Sequence, residues 1–409
     1  MSTGLILSGG GARAAYQVGV LEAVAEILPR DVYNPFPIIC GTSAGAVNAM
    51  AMAGRPGHFR LRVRKLKSVW WNLHANCIYR TDLGAVIYNT VKIINSIFNP
   101  WYTSRTPLAF LDNSPLRELL ESLVRFRYID EALASGELEA LALTAMSYNT
   151  GQSVTFYQGK ISHQPWERSR RISKRTGLTI DHLMASSALP TLFPATQIDG
   201  HYYADGALRL QKPLSPALHL GSERIFIIGV SDNPRHKPPV EFPDYPPNLG
   251  QVMGHLLNSV FIDNIEADLE TLRMVNRLLE QIPEEQRAQK GLADLKPIDY
   301  LCISPSVPID GIAGKYLHEL PKSVRMFLRV TGVSNNGAAN SAASYLLFEK
   351  GFCRELLSLG YHDAMQQRDE IREFFGMNQS ASAPARPRLV GQPPSELKQA
   401  QGSSKLAGQ

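Results

Sequence analysis

The segment Phe36-Pro37-Ile38-Ile39-Cys40-Gly41-Thr42-Ser43-Ala44-Gly45 constrains this chain more than any other. A short apolar run breaks at a glycine, turns through a serine and continues into the Ala-rich stretch Ala44 to Ala53. A strand that passes straight into a helix through G-x-S-x-G puts the serine in a sharp corner, where a Cβ at either glycine would meet neighbouring backbone. The corner lifts the Ser43 hydroxyl above the C-terminal edge of a sheet, and the positive end of the next helix faces it. Alone, the pentapeptide also suits an ordinary turn; the strand before it and the helix after it favour a nucleophile. The same pattern occurs earlier. Gly4-Leu5-Ile6-Leu7 ends in Gly9-Gly10-Gly11, and Ala14, Val18, Leu21, Val24, Ala25 and Leu28 then recur at helical spacing up to Pro29. Two such units predict parallel strands joined by right-handed crossovers, hence an α/β fold.

Further strands are expected over Ala140 to Met146, Ser153 to Tyr157, Arg224 to Val230 and Tyr300 to Ile303. Leu178 to Ala188 reads as a helix ending before Pro190, and Leu249 to Ile282 and Ser341 to Leu359 read as helical. The chain therefore divides into an α/β region over 1–217, interrupted over about 58–110, and a helix-rich part over 218–376 packed on it. Residues 377–409 lack aromatics and are rich in Ser, Gln, Ala, Gly and Pro, a composition expected to be disordered. Val32 to Gly54 carries no charge and is long enough to suggest a membrane span, but its prolines, asparagines and glycines mark loop, strand, turn and helix. Neither a transmembrane segment nor a signal peptide is expected, and a cytoplasmic location follows.

Lys+Arg 42 against Asp+Glu 37 gives +5, too mild a tilt for a dedicated nucleic-acid binder. Cys40, Cys77, Cys302 and Cys353 are too dispersed for a zinc or redox motif and are read as reduced thiols. No spacing suggests a metal, and no cofactor is expected.

The glycine run Ser8-Gly9-Gly10-Gly11-Ala12-Arg13 admits two functional readings. Gly9, Gly11 and Ala14 satisfy a dinucleotide fingerprint, which wants an acidic residue at the end of the next strand. Asp31 falls before that strand, and Gly41-Thr42-Ser43 occupies its end, so the nucleotide reading loses its second half. The other reading presents backbone N–H groups to a developing oxyanion, each worth about 10²–10³ in rate. A serine hydroxyl also needs a base. Asp205-Gly206-Ala207, after His201-Tyr202-Tyr203, is taken alone no more than a turn dipeptide.

Gly9-Gly10-Gly11-Ala12-Arg13, Gly41-Thr42-Ser43-Ala44-Gly45, Ala185-Ser186-Ser187-Ala188-Leu189-Pro190 running to Phe193-Pro194, and Asp205-Gly206-Ala207 occur in this order. Together they resemble the four blocks of the patatin-like phospholipases, over Thr3 to about Pro216. The resemblance implies a three-layer α/β/α fold with a mostly parallel central sheet and a Ser–Asp dyad without histidine. It implies Ser43 as nucleophile, Asp205 as base, and Gly9, Gly10, Gly11 and Arg13 as the oxyanion region, acting mainly through backbone N–H groups. Gly41 and Gly45 flank the nucleophile, and Gly206 supports the base. Ala14 stands where a glycine is frequent, and Gln211 where an asparagine often follows the Asp-Gly block. The activity implied is cleavage of acyl esters of phospholipids or related lipids through an acyl-enzyme, independent of calcium.

Two other hypotheses stand beside it: a catalytically silent lipid-binding scaffold of the same fold, and a Ser-His-Asp esterase. For the latter, His219, His236, His255, His318 and His362 qualify by chain order, with no motif around any of them. A lipid substrate calls for peripheral membrane contact. Arg60, Arg62, Arg64, Lys65 and Lys67 before Trp70-Trp71 read equally as headgroup and interface contacts or as a solvated helix face beside core tryptophans. Arg168, Arg170, Arg171, Lys174 and Arg175 form a second basic run, read as a solvated face; no nucleic acid is expected.

Overall fold

The apolar runs of the sequence become the strands of one ten-stranded sheet in the computed structural model, which describes residues 2–99, 107–231, 252, 263–289, 295–330 and 338–377. The strands are β1 Thr3–Leu7, β2 Ile38–Thr42, β3 Ala140–Ser147, β4 Ser153–Gly159, β5 Glu167–Arg168, β6 Arg171–Arg175, β7 Thr196–Ile198, β8 His201–Asp205, β9 Arg224–Ile228 and β10 Asp299–Ile303. Their order is β10-β9-β1-β2-β3-β4-β6-β5, with β8 on β3 and β7 on β8. From β10 to β3 every pair is parallel. β3 then pairs antiparallel with both β4 and β8. β1, β2 and β9 are almost wholly buried, which explains their continuous apolar sequence where a half-exposed strand would alternate.

The first helices are α1 Ala15–Ile27, α2 Ala44–Ala53, α3 Phe59–Trp71, α4 Leu83–Phe98, α5 Ser114–Leu123, α6 Phe126–Ser135, α7 Ile180–Ser186 and α8 Ser215–His219. Alternate strand residues feed two cores. Leu5, Leu7, Phe226 and Ile228 pack with α1, α2, α3, α7 and the helix Lys350–Gln366. Ile6, Ile38, Cys40, Ile225 and Ile227 pack with α8 and Leu269 and Leu272 of the helix Asp263–Glu280. Helices on both faces of a mostly parallel sheet make the three-layer α/β/α architecture. Of the expected helix Leu249 to Ile282, much of the first half lies outside the described residues, as do residues 378–409. Ser341 to Leu359 is not one helix: it breaks over Leu347 to Glu349, between the helices Ala338–Leu346 and Lys350–Gln366. Among the described residues no helix is long and apolar enough to cross a membrane.

Candidate active site

Two strand ends meet head-on along one edge of β3. β2 runs parallel to β3 and stops with Thr42 opposite Thr144. β8 runs the other way on the same edge and stops with Asp205 opposite Ala145. The residue that leaves β2, Ser43, therefore faces the residue that ends β8. The Ser43 hydroxyl donates to Asp205 Oδ2 at 2.5 Å, and both residues are buried, at 5% and 1% exposure.

Local sequence holds each partner in place. Ser43 sits at φ 55, ψ −129, a left-handed corner that costs a non-glycine residue about 1–3 kcal/mol and persists only where its surroundings enforce it. Here the flanking glycines enforce it: a Cβ on Gly41 would lie 2.6 Å from the Gly45 carbonyl oxygen, and one on Gly45 would lie 2.3 Å from that of Leu7. The Ser43 N–H donates to Ser186 Oγ at 2.9 Å, and the Ser186 hydroxyl donates to the Thr144 carbonyl at 2.7 Å. Asp205 is fixed by its own N–H, which donates to the Ala188 carbonyl, and by Oδ1, which accepts from the Ala207 N–H at 2.9 Å. Burial pushes the Asp205 carboxyl up to about 7, against the pull of its hydrogen bonds from Ser43 and Ala207.

The glycine run leaves β1 beside this corner. Gly11 has φ +55, and a Cβ there would lie 2.2 Å from the Tyr345 carbonyl oxygen, so only glycine fits. Among the described residues, the N–H groups of Gly9, Gly10 and Gly11 meet no backbone carbonyl. Arg13 differs from them. Its N–H donates to the Gly10 carbonyl at 3.1 Å, closing a 3₁₀ turn. Its buried guanidinium bonds Ser344 Oγ at 2.7 Å, pairs with Asp310 and stacks over the Tyr345 ring at 4.2 Å. The side chain thus anchors the loop to later helices.

The family model for the patatin-like phospholipases matches residues 5–218. The chain belongs to the patatin-like phospholipase family. Among known members, it is 28% identical over 217 residues to a cGAMP-activated phospholipase of Pseudomonas aeruginosa, covering 53% of this chain and 55% of that one. It is 27% identical over 219 residues to a cGAMP-activated phospholipase of Escherichia coli, covering 51% and 52% respectively. Calcium-independent phospholipase A2-gamma of Mus musculus is 23% identical over 216 residues, 53% of this chain and 25% of that one. The chain thus spans about half the length of the bacterial relatives it matches, and a quarter of the mammalian one.

In this patatin-like chain no described histidine hydrogen-bonds Ser43 or Asp205. His219 stacks on Trp166 at 4.9 Å and donates from Nδ1 to the Ser215 carbonyl at 2.8 Å. His318 and His362 bond carbonyls of their own segments, Lys315 and Ser358, and His236 and His255 lie outside the described residues. Among the described residues no group of three or more His, Cys, Asp or Glu could hold a metal. Gln211 has its N–H on the Arg209 carbonyl, and Asp205 accepts from the Ala207 N–H. A cavity of about 30 Å³, room for a single water, lies between Ser8, Gly9, Gly41, Thr42, Thr144 and Ala207. A larger one of about 730 Å³ is lined by His74, Cys77, Lys322 and Glu349 and includes neither Ser43 nor Asp205.

Three of the five basic residues ahead of Trp70 are engaged within the fold, while Arg64 and Lys65 are exposed. Arg62 is buried and paired with Glu137, Arg60 donates to the carbonyls of Ala25 and Glu26, and Lys67 bonds Glu22. Trp70 is buried, with its Nε1–H on Asn48, while Trp71 lies under Lys67 and Arg354. The second run is carried on β5 and β6: β6 pairs with β4 and buries Ser173, while Arg168, Arg170, Lys174 and Arg175 are exposed, as a solvated face would have them. The block Ala185 to Pro190 contained Ser186 but assigned it no role; a serine that bridges two backbone segments across 143 residues leaves no local pattern of its own.

Proposed function

We propose that this chain is a serine acyl hydrolase that cleaves acyl esters of phospholipids or related lipids, with Ser43 as nucleophile and Asp205 as its base. The observation that carries the reading is the 2.5 Å contact between a serine held in a strained corner and a buried carboxyl pushed up to about 7. An ordinary aspartate near ~3.9 is a poor acceptor for a serine proton. Near neutrality a group at about 7 is both substantially ionised and a much stronger base.

In the forward step, Ser43 Oγ bonds the ester carbonyl carbon while its proton passes to Asp205 Oδ2. The carbonyl oxygen becomes an oxyanion, received by the N–H groups of the Gly9–Gly11 loop. The tetrahedral species collapses, the alcohol leaves with the proton from Asp205, and Ser43 carries the acyl group. A water then gives its proton to Asp205 and its oxygen to the acyl carbon. The fatty acid departs, and Ser43 recovers its proton. The phospholipid class follows the names of the relatives, and the family model covers the stretch that contains both residues proposed to react.

The test is release of p-nitrophenol from a medium-chain acyl ester by wild type, Ser43→Ala, Asp205→Asn and His219→Ala, each checked for folding. Hydrolysis should vanish in the first two variants and persist in the third, and wild type should then release fatty acid from phospholipid vesicles. Full activity in Asp205→Asn, or loss in a folded His219→Ala, would refute the dyad.

A further inference from the structure

Of the two basic runs, the earlier finds carboxylates for Arg62 and Lys67, whereas the later finds none among the described residues. β5 and β6 form a hairpin whose turn is Arg168-Ser169-Arg170-Arg171, with Arg168 paired to Arg171. Arg168 and Arg170 are exposed and Arg171 half-buried. Among the described residues none of the three has an ion-pair partner; Arg168 donates to the carbonyl of Glu167, itself the exposed carboxylate next to the turn. Like charges directly opposed across a strand pair are destabilising, so the hairpin is not built for its own stability. The turn also places Arg170 at φ 58, where glycine or asparagine is ordinarily found. Its carbonyl accepts from the Ser153 N–H at 2.9 Å, which holds the turn against β4.

Sheet register places this turn at the end of the molecule where Ser43 and Asp205 meet. Ala204, Met146, Ser153, Arg171 and Arg168 are successive backbone partners across β8, β3, β4, β6 and β5. At about 4.8 Å per strand, Arg171 lies about 14 Å from Ala204 along the sheet and Arg168 about 19 Å. Ala204 immediately precedes Asp205. Tyr148 and Tyr202 are exposed at the same end, joined through the Tyr148 N–H and the Tyr202 carbonyl at 3.0 Å. Tyrosine and unpaired arginine together suit a boundary between water and lipid headgroups.

We propose that the Arg168–Arg171 turn is a docking surface for an anionic bilayer, orienting the active-site end of the sheet toward it. The proposal rests on the acyl hydrolase reading for its lipid partner, and its test measures binding without turnover. Full-length Ser43→Ala protein is sedimented with phosphatidylcholine vesicles, with and without about one third phosphatidylserine, at low and high salt. It is compared with the same protein carrying Arg168→Gln, Arg170→Gln and Arg171→Gln, and with the three lysine replacements. One cation near such a surface is worth about a factor of five, so the glutamine variant should lose about 100-fold in partition onto anionic vesicles. The lysine variant should stay within a few-fold of the arginine protein, and binding should weaken with salt. In the Ser43-containing background all three should hydrolyse the soluble p-nitrophenyl ester alike, which separates this proposal from the dyad and shows that the variants fold. Equal partition of the arginine and glutamine proteins would overturn the proposal, as would binding indifferent to phosphatidylserine, or capture by a soluble polyanion with none by the vesicles.

Discussion

Replacing Asp205 by asparagine should stabilise the protein at neutral pH while abolishing hydrolysis, and the gain should be pH-dependent in a calculable way. Burial raises the Asp205 carboxyl from an ordinary 3.8 to about 7 in the folded state. The unfolded chain releases that proton near its ordinary value, whereas the native state holds it until about 7. Between these values the folded state binds more protons, so this group's contribution to stability falls as pH rises, then levels off above about 7. At 1.36 kcal/mol per pH unit, a window of roughly three units costs about 4 kcal/mol. Asparagine does not titrate. Its Oδ1 can still accept from Ala207 N–H, and its amide can donate to Ser43 Oγ, so the contact is preserved in shape. Urea denaturation of both proteins from about pH 4 to about pH 8 should show near-equal stability at the acid end. The variant should lead by about 4 kcal/mol at the alkaline end.

Taking the difference removes the other titrating groups. His163, His182 and His219 are all lowered by burial and add stability as pH rises, but both proteins contain them. Wild-type kcat/KM should climb about tenfold per pH unit below about 7 and flatten above it, because only the ionised carboxylate can take the Ser43 proton. Stability curves that run parallel over this window would show that Asp205 titrates in the native state where it does in the unfolded chain, and the basis for a carboxylate base would fall.

Ser186→Ala should leave the Ser43 N–H without its acceptor, costing about 1–3 kcal/mol by urea midpoint, and should lower kcat more than it raises KM because the loss is in placement of Oγ. Arg62→Ala should cost about 3 kcal/mol in the same measurement, since it removes a buried guanidinium from its pair with the half-buried Glu137 and leaves the Gly57 carbonyl without its 2.7 Å donor, whereas Arg64→Ala on the same helix should be near neutral.

What could be read in advance was what neighbouring residues decide. The strand–glycine–helix units at Gly9 to Gly11 and Gly41 to Gly45 are legible because steric demand falls within a few residues, and the parallel sheet follows from them. The hairpin from Thr196 to Asp205 was not, because its arms of 3 and 5 residues are too short for a period to register. β6 was hidden by its charge: the half-buried Ile172 and the buried Ser173 lie between cations that dominate the composition. The break between Leu346 and Lys350 has no proline or glycine before Lys350 to announce it. The roles of single arginines were least legible. Arg62 finds Glu137 75 residues away and looks like a surface cation until the fold supplies its partner, and Arg13, read for its backbone N–H, reaches Asp310 297 residues away with its side chain.

Arg13 also shows that the family-matched stretch does not complete its own site. Residues 5–218 contain Ser43, Asp205 and the glycine run. Yet the run is gripped from outside that stretch, by Asp310, Ser344 and the Tyr345 ring and carbonyl. The proposed dyad needs the same enclosure. Asp205 reaches about 7 because burial removes water from the carboxylate, and the two strand ends that abut on β3 close the space around it. Those roughly three pH units weaken the fold by about 4 kcal/mol and strengthen the base by the same amount. A solvated aspartate would spare the fold that cost and leave Ser43 with a base too weak to take its proton. In this geometry the marginal stability of the site and the basicity of its carboxylate are one quantity measured in two experiments.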